Sequence, residues 1–392
     1  MSSALMQVYN RFAINFTHGK GLSLYDSEGK AYLDAGSGIA VNAFGHCHPK
    51  LVAALQKQSE TLWHISNLYT SDVQLEFAKL LCDATFADNV FFTNSGAEAI
   101  ECALKTARRY FHKQGTPQRR RIITFKGAFH GRTQLCISAA GAKTEDGFGT
   151  VSPDFDIIPF GDHAALKAAI TDETAAILME PIQGEGGIRL VPIDCLKAIR
   201  QLCDEHGILL IFDEIQSGMG RTGKLFAFEH AEIAPDICTS AKGIAGGFPL
   251  GACLATDKAA AGMTYGTHGS TYGGNPLGCA VGHAAVEMIL EDGFLSHVTQ
   301  IGVYLKDKLL HLQEKYPDYM TDVRGIGLLL GIKLHDDYKV RDVAEKLLYE
   351  GLITIPASDN VMRIVPPLII TQNECDHLCD ILDGFFAKET PK

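Results

Sequence analysis

The chain has 392 residues, of which 46% are hydrophobic and 21% charged, with a formal net charge of −11. That length allows two domains and a sizeable core, and the acidic balance argues against a nucleic-acid partner or an anionic membrane surface. The eleven cysteines stand singly with no C-x-x-C pair, which predicts reduced thiols and a cytoplasmic location rather than a disulfide framework.

The opening M-S-S-A-L-M-Q-V-Y-N-R-F lacks the apolar stretch of a secretory signal. No apolar run approaches the roughly 18 residues of a membrane span, so the sequon at Asn15-Phe16-Thr17 is expected to stay idle. Short strands with a hairpin turn at Asp26–Gly29 come first, then helical patterns over about Pro49–Leu62 and Asp72–Cys82. Asn89–Thr93 reads as a strand, 94–96 as a turn and Ala97–Phe111 as a helix with Ala97, Ile100, Leu104, Ala107 and Phe111 on one face. Further strands are expected at Arg121–Phe125, Thr174–Met179, Ile208–Phe212, Asp236–Thr239 and Leu250–Thr256. These runs are continuous rather than alternating, as in strands covered by helices on both faces. The fold class is therefore α/β with a largely parallel sheet. Beyond about Asn275, helices over Leu277–Leu290 and Leu295–Lys315 precede strands at Gly325–Lys333 and Val361–Ile364 of a smaller α+β unit. The expected division is 1–50 joining the small unit, 51–280 as the large domain and 281–392 as the rest of the small one.

In open α/β sheets ligands bind beyond the carboxyl ends of the strands, and the chemistry-bearing residues fall there. Asp213 ends I-L-L-I-F, Glu180 ends A-I-L-M, Ser95-Gly96-Ala97 follows N-V-F-F-T-N, and Lys242 follows D-I-C-T-S-A. Lys242 lies in the near-chargeless T-S-A-K-G-I-A-G-G-F-P-L-G-A, with no local partner for its charge. A lysine so placed is a candidate for an amine of lowered pKa, as Schiff-base chemistry requires. An acid at the end of an apolar strand suits a pyridinium nitrogen, and the two together point to pyridoxal phosphate (PLP). Each residue has a plainer reading: Lys242 as a solvated surface lysine, Asp213 as a helix cap or metal ligand. Ser95-Gly96-Ala97 can be an anion cup at a helix N-terminus or only a capping turn. Phe129 and Arg132 can serve a ring and a carboxylate, or be a core phenylalanine and a surface arginine. A metal is not expected, since neither His46-Cys47-His48 nor Cys375 with Cys379 has the paired spacing of a four-ligand site.

Eight ordered stretches carry a resemblance over nearly the whole chain, among them F-F-T-N-S-G-A-E-A-I-E (91–101), E-P-I-Q-G-E-G-G (180–187), F-D-E-I-Q-S-G-M-G-R-T-G (212–223), A-K-G-I-A-G-G-F-P-L-G-A (241–252) and H-G-S-T-Y-G-G-N-P (268–276). The chain resembles the class III (subgroup II) PLP-dependent aminotransferases, which implies the PLP-dependent transferase fold type I (aspartate aminotransferase-like). The resemblance implies that Lys242 holds PLP and then moves the proton, and that Asp213 pairs with the ring nitrogen. It places Gln216 near the ring hydroxyl, Phe129 against the ring, Glu214 and Ile215 beside the coenzyme, and Ser95, Gly96 and Ala97 at the phosphate. Thr271 reaches that phosphate from the partner in a homodimer. Arg132 and Ser270 contact substrate, Arg363 takes the α-carboxylate of glutamate, and Glu185 pairs with Arg363 and swings away as a gate. The implied small-molecule substrates are an acylated ornithine, most similarly N2-acetylornithine in arginine biosynthesis, and 2-oxoglutarate. At Gly38 a tyrosine stands in the similar ornithine δ-aminotransferases, so space is left here for an acyl group. Succinylornithine, N-succinyl-diaminopimelate, ornithine and 4-aminobutyrate remain alternatives.

Overall fold

The computed structural model describes residues 4–141, 146–149 and 151–389. Its centre is a seven-stranded sheet in the order Asn89–Thr93, Gly251–Ala255, Ile237–Ser240, Leu209–Asp213, Thr174–Met179, Arg121–Phe125, Phe155–Ile158. Thr174–Met179 is buried along its whole length. Its alternate residues serve two cores: Ile177 and Met179 join one, Ala176 and Leu178 the other. A side chain switches face at every residue of a strand, so an unbroken apolar run is what burial on both faces requires.

The sheet is largely parallel, and Gly251–Ala255 is the strand that runs antiparallel to both neighbours. The segment 241–250 between it and Ile237–Ser240 contains only a 3-10 turn, Lys242–Ala245. A connection that short has no crossover helix to return the chain to the other end of the sheet. The reversal brings Leu250 back to the sheet end where Lys242 stands.

The helix expected at Ala97–Phe111 spans Gly96–Lys113 and buries Ile100, Leu104, Ala107 and Phe111. Ser95 caps it, its Oγ accepting from the amide of Glu98. The long helices Pro276–Leu290 and Phe294–Lys315 follow the sheet, the first capped by the Asn275 side chain with proline in its first turn.

Phe16–Lys20, Ser23–Asp26 and Ala31–Asp34 form an antiparallel meander. Asp26 Oδ1 accepts from the amides of Glu28 and Lys30, each at 2.9 Å, which closes the expected hairpin turn. Leu352–Ile353 pairs parallel with Ala31–Asp34, so an early strand and a late one share a sheet. The single strand expected at Gly325–Lys333 is instead a hairpin, Met320–Ile326 with Leu329–Leu334. Gly327, at φ 58°, turns the chain where a Cβ would lie 2.6 Å from the backbone of Thr222. Among the described residues no helix is long and apolar enough to cross a membrane, and all eleven cysteines are unpaired thiols.

Candidate active site

At the carboxyl ends of the central strands lies a cavity of about 360 Å³, within the range of small-ligand sites. Asp213, the last residue of its strand, is buried there. Its Oδ2 lies 2.8 Å from Nδ1 of His130, whose ring has no exposure, and its Oδ1 accepts from the amide of Ile215 at 3.1 Å. Burial works against a charged His130. The hydrogen bond and charge of Asp213, with Glu180 beyond, outweigh it and raise the imidazole pKa above its ordinary value. Glu180 is buried as well. Its carboxylate accepts from the amides of Phe129 at 2.9 Å and Gly184 at 3.1 Å. Burial and the nearby Asp213 charge push it up to about 7.

Lys242 projects into this cavity from the turn after Ile237–Ser240. Its backbone is left-handed, at φ 49°, a conformation that costs a side-chain-bearing residue energy and clusters at functional sites. Burial lowers its amine to about 8, with Arg363 acting in the same direction and Glu185, Asp213 and Glu180 against it. Across the cavity stands the start of the Gly96–Lys113 helix. Of its orphan amides, that of Glu98 is taken by Ser95 Oγ, while Gly96 and Ala97 line the cavity. Gly131, at φ 119°, lets the Phe129–Arg132 loop close on this helix; a Cβ there would lie 2.8 Å from that of Ala97.

Arg363 is 1% exposed and lies near enough to influence the Lys242 amine. Its guanidinium grips Glu185 in a fork, Nη1 to Oε1 and Nη2 to Oε2, the latter at 3.1 Å. It donates also to Gln216 Oε1 at 3.2 Å and to the Pro356 carbonyl at 3.0 Å. Glu185 keeps 30% side-chain exposure.

Of the residues singled out in the sequence, Ser95, Gly96, Ala97, Phe129, Asp213, Ile215, Gln216 and Lys242 meet around the one cavity. Arg132 is exposed, its guanidinium carbon 5.4 Å from the centre of the Phe129 ring. The Glu214 side chain turns away from the cavity to Ser217 Oγ and the Phe228 amide, where burial pushes it up to about 7. Ser270 and Thr271 line a second cavity, of about 370 Å³, which shares Asn94 with the first. His130 lies between Phe129 and Arg132, and nothing local in the sequence marks it as part of the site beyond a histidine beside an aromatic in a glycine turn. Its partner is 83 residues away. Glu180 stands at a strand end in the sequence, and its bonds to the amides of Phe129 and Gly184 join it to the site only in the fold. Among the described residues no group of three or more His, Cys, Asp or Glu side chains could hold a metal. His46 Nε2 lies 2.8 Å from Asp34 Oδ2.

A buried amine of lowered pKa, a strand-end carboxylate steadied by a buried histidine, and helix amides facing the same space fit an aldehyde-bearing, phosphorylated pyridine. The fold and site define a PLP-dependent enzyme of fold type I. The chain belongs to the aminotransferase class-III family, whose model matches residues 5–386, and its coenzyme is pyridoxal 5′-phosphate. It is 54% identical over 374 residues to an acetylornithine aminotransferase of Agrobacterium fabrum, covering 95% of this chain and 93% of that one. An acetylornithine aminotransferase of Methanocaldococcus jannaschii is 46% identical, covering 98% and 96%. Among solved structures, the ornithine aminotransferase of Toxoplasma gondii superposes with a TM-score of 0.94 at 33% identity, covering 98% of this chain and 92% of that one. The N-acetylornithine aminotransferase of Stenotrophomonas maltophilia superposes with a TM-score of 0.84 at 37% identity, covering 97% and 98%.

Proposed function

We propose that this chain transfers the 5-amino group of N2-acetyl-L-ornithine to 2-oxoglutarate, giving N-acetyl-L-glutamate 5-semialdehyde and L-glutamate, a step of arginine biosynthesis. The observation that carries two-substrate transamination is the Glu185–Arg363 fork beside the Lys242 cavity. The acyl substrate is supported by the near-full-length identity to acetylornithine aminotransferases. It is supported also by Gly38, which sits at φ 62° three residues before the cavity-lining Val41.

The residues take the following parts. Lys242 Nζ would hold the coenzyme and, as the general base, would take the proton from the substrate carbon bearing the amine and deliver it to the coenzyme's aldehyde-derived carbon. Its lowered pKa keeps a useful fraction neutral near pH 8. Asp213 keeps the ring nitrogen protonated, and His130 keeps Asp213 aimed. Gly96 and Ala97 donate amides to the phosphate, capped by Ser95. Phe129, Ile215 and Gln216 would hold the ring from the cavity walls they line, with Glu214 anchored behind them on Ser217 and Phe228. When bound, PLP supplies an electron sink for the pair released when that proton leaves.

Arg363 forks the α-carboxylate of glutamate, while Arg132 and Ser270 contact the rest of the substrate. The exposures of the gate pair differ in a useful way. Glu185 can leave for solvent, whereas Arg363, at 1% exposure, cannot. Glu185 therefore neutralises Arg363 while the acylated donor presents its terminal amine, and yields when glutamate arrives. The division at about residues 50 and 280 belongs to the same reading, with Arg363 carried by the smaller domain.

A homodimer completes the site, with Thr271 contributed across the interface. Exposed Trp63, Leu68, Tyr69 and Tyr272 support this surface. They are tied together by the His64–Tyr272 ring contact at 5.2 Å and by Asn67 Nδ2 to the Ser270 carbonyl at 3.1 Å. Eleven unpaired thiols suit a cytoplasmic location.

A panel of amino donors with 2-oxoglutarate tests the substrate. N2-acetylornithine should exceed ornithine in kcat/KM by more than about tenfold, or about 1.4 kcal/mol. Equal values would remove the argument from Gly38 and from the relatives.

A further inference from the structure

Two hairpins face each other beside the cavity. One pairs Ile182–Gln183 with Arg189–Leu190 and carries Glu185 in its turn. The other pairs Ile355–Ala357 with Val361–Ile364 and carries Arg363 in its returning strand. The guanidinium–carboxylate fork is only one of the links between them. The amide of Ser358, at the second hairpin's tip, donates to the Glu185 carbonyl at 3.0 Å. Gly187 allows the tips to touch, since a Cβ there would lie 2.8 Å from the Ser358 carbonyl oxygen and 3.2 Å from Asp359 Cβ.

The tip itself is clamped from the outside. Asp359 and Asn360 turn it with left-handed backbones, at φ 60° and 55°. The Asp359 carboxylate takes Arg324 Nη2 at 2.7 Å on one oxygen and Lys333 Nζ at 2.7 Å on the other. Arg189, from the first hairpin, stands 4.0 Å away. Asn360 accepts from the Val340 amide at 2.8 Å and donates to the Tyr338 carbonyl at 2.7 Å. The Asp359 carboxylate thus faces three cations, and the residue before it, Ser358, bonds to the backbone of the gate residue Glu185.

We propose that Asp359 is a positioning residue for the Glu185–Arg363 gate: by pinning the hairpin tip it holds Ser358 against Glu185 and favours the closed pair. The inference rests on the gate reading given above. Without the pin, the Glu185 backbone is less fixed and the closed pair loses population. The half-reaction that needs Arg363 neutralised is the one that suffers, because glutamate uses the open pair.

The test is single-turnover kinetics of the holoenzyme, each half-reaction followed by coenzyme absorbance with N2-acetylornithine or with glutamate. Asp359→Ala should lower the second-order rate constant for N2-acetylornithine about fivefold and leave glutamate within about twofold. Asp359→Asn should behave in the same way, and Asp359→Glu, which keeps the charge, should recover most of the loss. Equal falls with both substrates, or an unchanged ratio in both Ala and Asn variants, would overturn the assignment. Glu185→Gln, measured alongside, separates the two layers. A shifted ratio there without one in Asp359→Ala removes Asp359 alone. An unshifted ratio in Glu185→Gln removes the gate, and this inference with it.

Discussion

Replacing His130 with phenylalanine keeps a ring of similar size and deletes one hydrogen bond, from Nδ1 to Asp213 Oδ2 at 2.8 Å. The His130 side chain is 0% exposed and that of Asp213 3%, so the bond is shielded from bulk water. A hydrogen bond to a charged group contributes about 1.5–3 kcal/mol, and more is lost when a buried partner is left unpaired. At about 1.4 kcal/mol per decade this is a tenfold to hundredfold effect. In the proposed function Asp213 serves both half-reactions, so the loss should fall on coenzyme retention and equally on kcat/KM for both amino donors. The assays are coenzyme dissociation on ultrafiltration and kcat/KM with N2-acetylornithine and with glutamate. Activity and retention within about twofold of the parent would refute the reasoning. A fall confined to one donor would refute it too, because it would place His130 in substrate selection.

Three further outcomes follow from the geometry. The Lys242 amine is lowered to about 8 from 10.5, so its neutral form grows as pH rises and saturates above that value. Covalent coenzyme uptake by the apoprotein should rise with a midpoint near pH 8 and level off about one pH unit above it, and a midpoint near pH 10 would indicate an ordinary amine. Glu214 is raised to about 7 from 4.5 by burial, so the folded state holds a proton the unfolded state lacks between those values. Its stabilisation is present below about 4.5 and is lost as pH rises through about 7. Glu214→Gln should therefore gain stability over the parent across that window, by up to about 3 kcal/mol. A difference in denaturant midpoint that does not change with pH would contradict this. Gly131→Ala places a Cβ 3.0 Å from the Ala97 Cα at φ 119°, so it should cost about 1–3 kcal/mol and weaken coenzyme binding; an unchanged denaturant midpoint would show the loop has slack.

The strands were legible because a sheet covered on both faces demands unbroken apolar runs, and T-A-A-I-L-M and I-L-L-I-F are such runs. Their carboxyl ends then gathered Asp213, Lys242 and the Ser95 turn without any knowledge of strand order. Direction was not legible. Gly251–Ala255 is as apolar as its neighbours, and its reversal follows only from the short 241–250 connection. The hairpin at Gly327 was hidden for a similar reason, since G-I-G-L-L-L-G-I reads as one apolar stretch until a backbone contact with Thr222 is seen. The polar network escaped because its bonds join distant parts of the chain: His130 to Asp213, Glu180 to Phe129, and Ser358 to Glu185. Ser270 and Thr271 line a separate cavity in the single chain. That placement is compatible with a site completed by a second copy, a relation that a single sequence states only through resemblance.

The central claim is that the Lys242 amine is the covalent anchor of the coenzyme. Borohydride reduction of the PLP-loaded protein, followed by peptide mapping, tests it most directly. The account predicts that the reduced pyridoxyl group is recovered on the peptide containing Lys242 and on no other lysine. Label on a different lysine, or an unmodified Lys242 in protein that had bound the coenzyme, would contradict it.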